Sequence, residues 1–209
     1  MTFSPNVEFN SSTHHVKADD LTPFDPELLT HGDQRNVVDK YRHWHLDAIR
    51  QDLAESASEL EIAIENLERD FNMGTIIRSA NAFNVRRVHI IGRKQWNKRG
   101  AMMTDKYLEV IHHPSVTDFL SAVPAGYQLI ALDNQSGAHD LATFPLPRQA
   151  ILIFGSENSG ISAELLQHTH AMVQIEQFGS TRSINVGVAA GIAMYEWTRR
   201  FKLAPQIDK

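Results

Sequence analysis

The spacing of apolar positions changes character several times along the chain. From residue 36 to 56, Val37, Val38, Tyr41, Trp44, Ile49 and Leu53 recur at helical spacing and predict an amphipathic helix. Leu60, Ile62, Ile64 and Leu67 then form a strand-like run. A helix over residues 73–83 and a strand over 85–91, closed by Gly92, follow it. Thr117 reads as the N-cap of a short helix through Val123, ended by Pro124 and Gly126. Residues 127–132 and 150–154 are β-type runs, and each leads into a turn-prone segment. A helix over 162–168, a strand over 172–175 and a last helix over 185–201 complete the pattern. Residues 1–35 show no apolar period and read as an extended or partly disordered arm. Strand–helix alternation with short loops predicts an α/β fold, a mainly parallel sheet with helices on both faces. The change of regime divides the chain into an N-terminal arm and helix, 1–57, and an α/β domain, 58–209.

In open parallel sheets, ligands bind beyond the carboxyl ends of the strands. The loops after Leu132, Phe154 and Ile175 are therefore the places to look, and all three are rich in small or polar residues. Composition narrows the chemistry. The absence of cysteine excludes disulfides, thiolate metal sites and cysteine nucleophiles. The histidines show no metal-binding spacing, so no metal is expected. No run reaches the roughly 20 apolar residues that cross a bilayer, and no secretory signal pattern opens the sequence, so a cytoplasmic location with no membrane partner is expected. The net charge of −5 disfavours a general nucleic-acid binder. Its distribution matters more than the sum. Arg78, Arg86, Arg87, Arg93, Lys94, Lys98, Arg99 and Lys106 follow one another with Asp105 as the only acid between them, while acids gather in residues 47–70.

Three motifs carry candidate chemistry. In Asn72-Met73-Gly74-Thr75-Ile76-Ile77-Arg78-Ser79-Ala80, Asn72 is suited to cap a helix and Gly74 to admit a close neighbour. Arg78 stands among apolar residues. Its donor fork suits a phosphate or hydroxyl, and the ordinary alternative is an ion pair with Glu65 or Asp70. Gly155-Ser156-Glu157-Asn158-Ser159-Gly160 follows a β run but lacks the Lys-Ser/Thr of a triphosphate loop, and no dinucleotide fingerprint occurs anywhere. What remains is a glycine turn displaying Glu157 at a strand end. The third segment runs from Ile175 through Ser183, Ile184 and Asn185 into a helix of small and apolar residues that must be buried on most sides.

Taken together and in this order, the motifs resemble the SpoU-type (TrmH-like) branch of the SPOUT RNA 2′-O-ribose methyltransferases, whose pattern is N-x-G-x-x-x-R-x-A, G-x-E-x-x-G, then I-P-x-x-G and S-L-N-V. The likeness covers residues 60–201. It implies an α/β domain with a C-terminal deep trefoil knot, a homodimer, S-adenosylmethionine as cofactor, and methylation of a ribose 2′-hydroxyl in structured RNA, tRNA or rRNA. It also assigns Asn72, Arg78, Glu157, Ser183 and Asn185 to catalysis. Leu132, Asp133, Asn134, Gly155, Glu157, Ile175 and Ile184 are assigned to the cofactor. The basic residues Arg86, Arg87, Arg93, Lys94, Lys98 and Arg99, with the N-terminal helix, are expected to hold RNA through its phosphates. Three positions depart from the pattern: Glu176 for the family proline, Ile184 for leucine, and Asn84 where glycine often follows Phe83. A non-catalytic RNA-binding protein that keeps the fold is the alternative reading. An oxidoreductase is disfavoured by the missing fingerprint.

Overall fold

Ala150-Ile151-Leu152-Ile153-Phe154 carries no polar side chain, so a strand made of it must be covered on both faces. The computed structural model, which describes residues 22–66, 72–156 and 159–203, places this run at the middle of a seven-stranded sheet. In chain order the elements are α1 (Pro26–His31), α2 (Leu46–Glu55), β1 (Leu60–Asn66), α3 (Asn72–Ala82), β2 (Arg87–Gly92), β3 (Glu109–His113), α4 (Val116–Ala122), β4 (Gln128–Leu132), β5 (His139–Asp140), β6 (Ala150–Phe154), α5 (Ala163–Leu166), β7 (Ala171–Gln174) and α6 (Val186–Thr198). The strands lie in the order β3-β2-β1-β6-β4-β7-β5, and every pairing is parallel. Alternate side chains serve opposite faces. Leu60, Ile62, Leu152 and Phe154 pack with Met73 and Ile77 of α3 and Met194 of α6. Ala63, Ile151 and Ile153 pack with Phe119 of α4 and Leu165 of α5. The predicted parallel α/β sheet with helices on both faces is the observed one.

The N-terminal region departs from its periodicity. Only residues 46–55 of the helix predicted over 36–56 form α2; a 3₁₀ turn occupies Asp39–Tyr41, and His43 takes a left-handed φ of 64°. The cause is a polar contact that periodicity does not register. The buried carboxylate of Asp33 accepts from Arg35 Nε at 2.9 Å, Arg35 Nη2 at 2.6 Å and the His43 amide at 2.9 Å. The Arg35 guanidinium holds that carboxyl far below the usual carboxylate range. Residues 22–35 are correspondingly not an extended arm: Asp25 caps α1, with Pro26 in its first turn. Residues 1–21, where the rest of the arm was expected, lie outside the described residues, as does Leu67.

Smaller corrections have local causes. Ser115, not Thr117, caps α4, its Oγ accepting from the Asp118 amide at 3.1 Å. Strands β3 and β5 were not predicted, because Glu109, His112, His113, His139 and Asp140 hide any apolar alternation. Asn84, in the place of the family glycine, has φ 48° and ends α3 with a Val85 amide to Ala80 carbonyl bond of 3.0 Å. Asparagine tolerates this backbone. Its Nδ2 also donates to the Leu53 carbonyl at 3.0 Å, which fastens α2 to the end of α3. Among the described residues no helix is long and apolar enough to cross a membrane.

A polar chain crosses β1, β2 and β3 on the α4 face. His89 Nε2 lies 2.9 Å from Glu61 Oε2, and His89 Nδ1 lies 2.8 Å from His113 Nε2, all three residues being buried. With the His89 proton on Nε2, that nitrogen donates to Glu61 and Nδ1 is the acceptor for His113. Burial, with His89 and His112 nearby, pushes the His113 imidazole below the ordinary histidine value. An unfolded chain therefore takes up a proton below about pH 6.5 that the folded chain refuses, and stability falls as pH falls. Denaturant midpoints at about pH 7 and 5.5 should show this loss, and His113→Gln, which cannot charge, should lose less over the same interval.

Candidate active site

All strands being parallel, their carboxyl ends share one edge, and the loops after β4, β6 and β7 meet there around a cavity of about 620 Å³. Leu132, Asp133, Asn134, Gly155, Ile175 and Ile184, the described residues assigned to the cofactor, all lie on its wall, with Ser183 and Asn185. Glu157 lies outside the described residues. The loop after β6 closes on itself: the Ser156 and Gly160 amides and carbonyls bond reciprocally at 3.1 and 3.0 Å. A Cβ on Gly155 would sit 2.1 Å from the Gly160 carbonyl carbon, so only glycine fits. The far end of this loop is held from below. Glu65, buried in β1, accepts from the Ser162 amide at 2.7 Å.

The third segment joins this cavity to α3. Asn185 caps α6, its Oδ1 accepting from the Gly187 and Val188 amides at 3.0 and 3.2 Å, while its Nδ2 donates to Asn72 Oδ1 at 2.8 Å. Asn72 is thus the first residue of α3, tied across to the cap of α6. Helices α3 and α6 touch through small residues, with Gly187 facing Thr75 and Gly191 facing Ser79. Arg78 lies one turn beyond Gly74 and Thr75. It is exposed and makes no ion pair among the described residues. The Glu65 partner open to it in the sequence is engaged by Ser162 instead.

The basic loop reaches the same helix. Gly100 backs onto Gly74 so closely that a Cβ on Gly74 would lie 2.8 Å from the Gly100 Cα. Asn66, at the end of β1, donates to the Arg93 and Gln95 carbonyls at 2.6 and 3.2 Å and anchors the loop start. Arg93, Lys94, Lys98 and Arg99 are exposed on this side, Lys98 pairing with Asp105 at 2.8 Å. Arg86 and Arg87 are not with them. They lie at the amino end of β2, roughly 20 Å away along the strand, beside α2 in a second cavity of about 410 Å³. Arg87 there pairs with Glu109 at 2.9 Å and Glu61 at 3.2 Å. The basic stripe read as continuous in the sequence is split between two edges of the sheet.

The wall also holds residues to which the sequence assigned no role, among them Gln135, Ser159, Gln177 and Ala189. Glu176 is exposed and off the wall, so the carboxylate that replaces the family proline does not face the cavity; Gln177 beside it does. Strand–loop position signalled these residues only in outline, because which side chain of a loop turns inward is decided by its packing.

The model of the SpoU rRNA Methylase family matches residues 59–195, more than half of the chain, and the protein belongs to that family. It is 26% identical over 152 residues to the tRNA (guanosine(18)-2′-O)-methyltransferase of Escherichia coli, covering 71% of this chain and 66% of the relative. Against the mouse tRNA (guanosine(18)-2′-O)-methyltransferase TARBP1 it is 27% identical over 156 residues, 71% of this chain but 10% of the relative. The chain thus spans less than two-thirds of the length of these relatives. The crystal structure of an AdoMet-bound rRNA methyltransferase from Sinorhizobium meliloti superposes with a TM-score of 0.61 at 26% identity, covering 71% of this chain and 60% of that one.

Two substitutions test the construction of the site. Gly155→Ala should lower unfolding free energy by about 1–3 kcal/mol, because the loop must open to admit the methyl group. Asn185→Ala should cost about 1 kcal/mol through the lost helix cap. Urea denaturation reads both.

Proposed function

We propose that this protein methylates a ribose 2′-hydroxyl in structured RNA, tRNA or rRNA, with S-adenosylmethionine as cofactor. The observation that carries the reading is the Asn72–Asn185 hydrogen bond of 2.8 Å, which fixes the helix bearing Arg78 to the wall of the cavity. Family membership, and relatives whose names state this chemistry, support it.

The cavity fits the cofactor. Its volume, about 620 Å³, is that of a small-molecule site. Leu132, Ile175, Ile184, Val186 and Ala189 offer apolar surface to a ring, while Asp133, Gln135, Ser156 and Gln177 offer polar groups. Leu132, Asp133, Asn134, Gly155, Ile175 and Ile184 are the residues that would hold it, with Glu157 from the same loop. The chemistry available from the cofactor when bound is an electrophilic methyl group. The protein's part is to bring a poor nucleophile into line with it. Guanidinium stays protonated at neutral pH and is a poor base, so Arg78 acts by orienting a substrate phosphate and the hydroxyl, with proton loss assisted by the substrate. Asn72, Ser183 and Asn185 position that region, and Glu157 completes it. Arg93, Lys94, Lys98 and Arg99 form the adjoining phosphate grip. Arg86 and Arg87, at the opposite edge, would meet a different part of the RNA, beside the N-terminal helices.

The same reading places a deep trefoil knot in the C-terminal part and divides the chain into a helical RNA-contacting extension, 1–57, and a methyltransferase domain, 58–209. The family match beginning at residue 59 supports that boundary. It also makes the protein a cytoplasmic homodimer. Val188, Ile192 and Tyr195 form an exposed apolar stripe on α6, and Phe178 is 97% exposed on the cavity loop. Such a surface suits a second copy of the chain.

Labelled methyl transfer from S-adenosylmethionine to bulk tRNA and, separately, rRNA tests the activity. Label should appear as 2′-O-methylnucleoside from one pool and fall at least about a hundredfold in Arg78→Ala, the scale of a lost electrostatic positioning group. Cofactor binding without label in either pool would favour a non-catalytic RNA binder. Near-normal turnover by Arg78→Lys would refute a guanidinium-specific role. For the assembly, sedimentation should show a dimer that Ile192→Glu converts to monomer.

A further inference from the structure

The second cavity, of about 410 Å³ at the amino edge of β2, takes no part in cofactor binding or methyl transfer as proposed above. It lies where α2 is fastened to the sheet at two points. The Leu53 carbonyl accepts from Asn84 Nδ2 at 3.0 Å, and Arg50 Nε donates to the Lys106 carbonyl at 2.6 Å. Arg50, Leu53 and Asn84 all line the space that is left. Its apolar surface comes from Leu53, Ala57, Val85 and Leu108, with Tyr107 beside them. Its charge comes from three arginines, and they are not equivalent. Arg87 is neutralised by buried Glu61 and by Glu109, the acid on the wall. Arg86 is half-exposed, lies 3.9 Å from Glu61 and donates no side-chain hydrogen bond among the described residues. Arg50 is half-exposed as well, and its pair with Asp47 at 3.2 Å is a surface contact of the kind that contributes little. Two guanidiniums therefore keep donors for an anion beside a surface that is otherwise apolar.

That combination selects an occupant. Apolar walls accommodate a flat ring, and available guanidiniums accommodate a phosphate. A nucleotide carries both. A base-paired nucleotide keeps its ring stacked in the helix, whereas an unpaired one can turn its ring out into a protein surface. We propose that this cavity is a pocket for an unpaired nucleotide of the RNA substrate, its base against Leu53, Ala57 and Leu108 and its phosphate on Arg50 and Arg86. The pocket rests on the RNA substrate proposed above and goes past it. This edge of the sheet then recognises a single-stranded feature of the RNA, where a phosphate grip alone would fix position without recognising structure.

Fluorescence anisotropy with the full chain tests the pocket, using a short labelled single-stranded RNA of random sequence and a labelled blunt-ended RNA duplex. Ala54→Trp fills the cavity from an exposed position on α2. Arg86→Gln removes an exposed charge and leaves the cavity open. The ratio of single-strand to duplex affinity should fall about tenfold in Ala54→Trp, the scale of one lost base contact. In Arg86→Gln the salt slope of single-strand binding should fall by about one, as for one lost phosphate contact. A ratio unchanged in an Ala54→Trp protein whose thermal midpoint matches that of the unaltered chain overturns the pocket. If Ala54→Trp does not fold, Arg86→Gln decides, and an unchanged salt slope overturns the assignment. Adenosine and uridine monophosphates serve as competitors. Displacement of the strand by either at equal concentration would make the occupant a free nucleotide and overturn the RNA assignment. Failure of the unaltered chain to bind bulk tRNA, rRNA or either probe would overturn the RNA reading itself, a distinguishable result.

Discussion

Two places where backbone packs on backbone with no side chain between them hold the site together. At Gly155 the strand in the middle of the sheet turns so tightly into its loop that the carbonyl of Gly160 occupies the space of a Cβ. At Gly74 the basic loop lies on the first turns of α3 through Gly100. The first approach shapes the wall of the cavity, and the second brings the cationic loop beside Arg78. Close-packed interiors transmit such constraints, because a misplaced methyl group cannot be absorbed locally. The Asn72–Asn185 bond then links the two halves, joining the helix cap that faces the cavity to the helix that carries Arg78.

The charge arrangement follows the same division. In a chain of net charge −5, several cations are paired with carboxylates among the described residues. Asp33 takes Arg35, Glu61 and Glu109 share Arg87, and Glu196 binds Arg199 and Arg200. Arg78 is left without an ion pair among the described residues at the carboxyl edge of the sheet. An unpaired guanidinium that is neither buried nor neutralised retains its donors for an external anion. Buried polar groups do the positioning: Glu65 fixes the loop after β6, and Asn66 fixes the loop after β2. Both sit at the end of β1, where the sheet turns from structure to site.

The order of elements and the location of the site were legible because they depend on local rules. Apolar periodicity marks a strand or helix wherever it is buried, and small polar loops after parallel strands mark a ligand edge. The motif residues at Gly155 and Asn185 likewise carried their role in their own chemistry, as a glycine that admits close approach and an amide that caps, whereas Asn72 is the first residue of α3. Strands β3 and β5 escaped notice because their sequences are polar. The long N-terminal helix was read too far because the carboxylate of Asp33 captures Arg35 and the His43 amide across an interval that no periodicity spans.

The sequence by itself determined the parallel α/β architecture, the family and the segments that build the cavity, since each of these is written in residues close together in the chain. Only the tertiary structure decided the partners across long separations. It sent Arg86 and Arg87 to one edge of the sheet and Arg93 to Arg99 to the other, because a strand of six residues lies between them. It gave Glu65 to Ser162 and left Arg78 without an ion pair among the described residues, set Gln177 on the cavity wall and Glu176 outward, and buried Glu61, His89 and His113 in one hydrogen-bonded chain. Hydrogen bonds and ion pairs have a reach of a few ångströms, so which groups meet depends on how the sheet brings distant segments together rather than on their spacing in sequence.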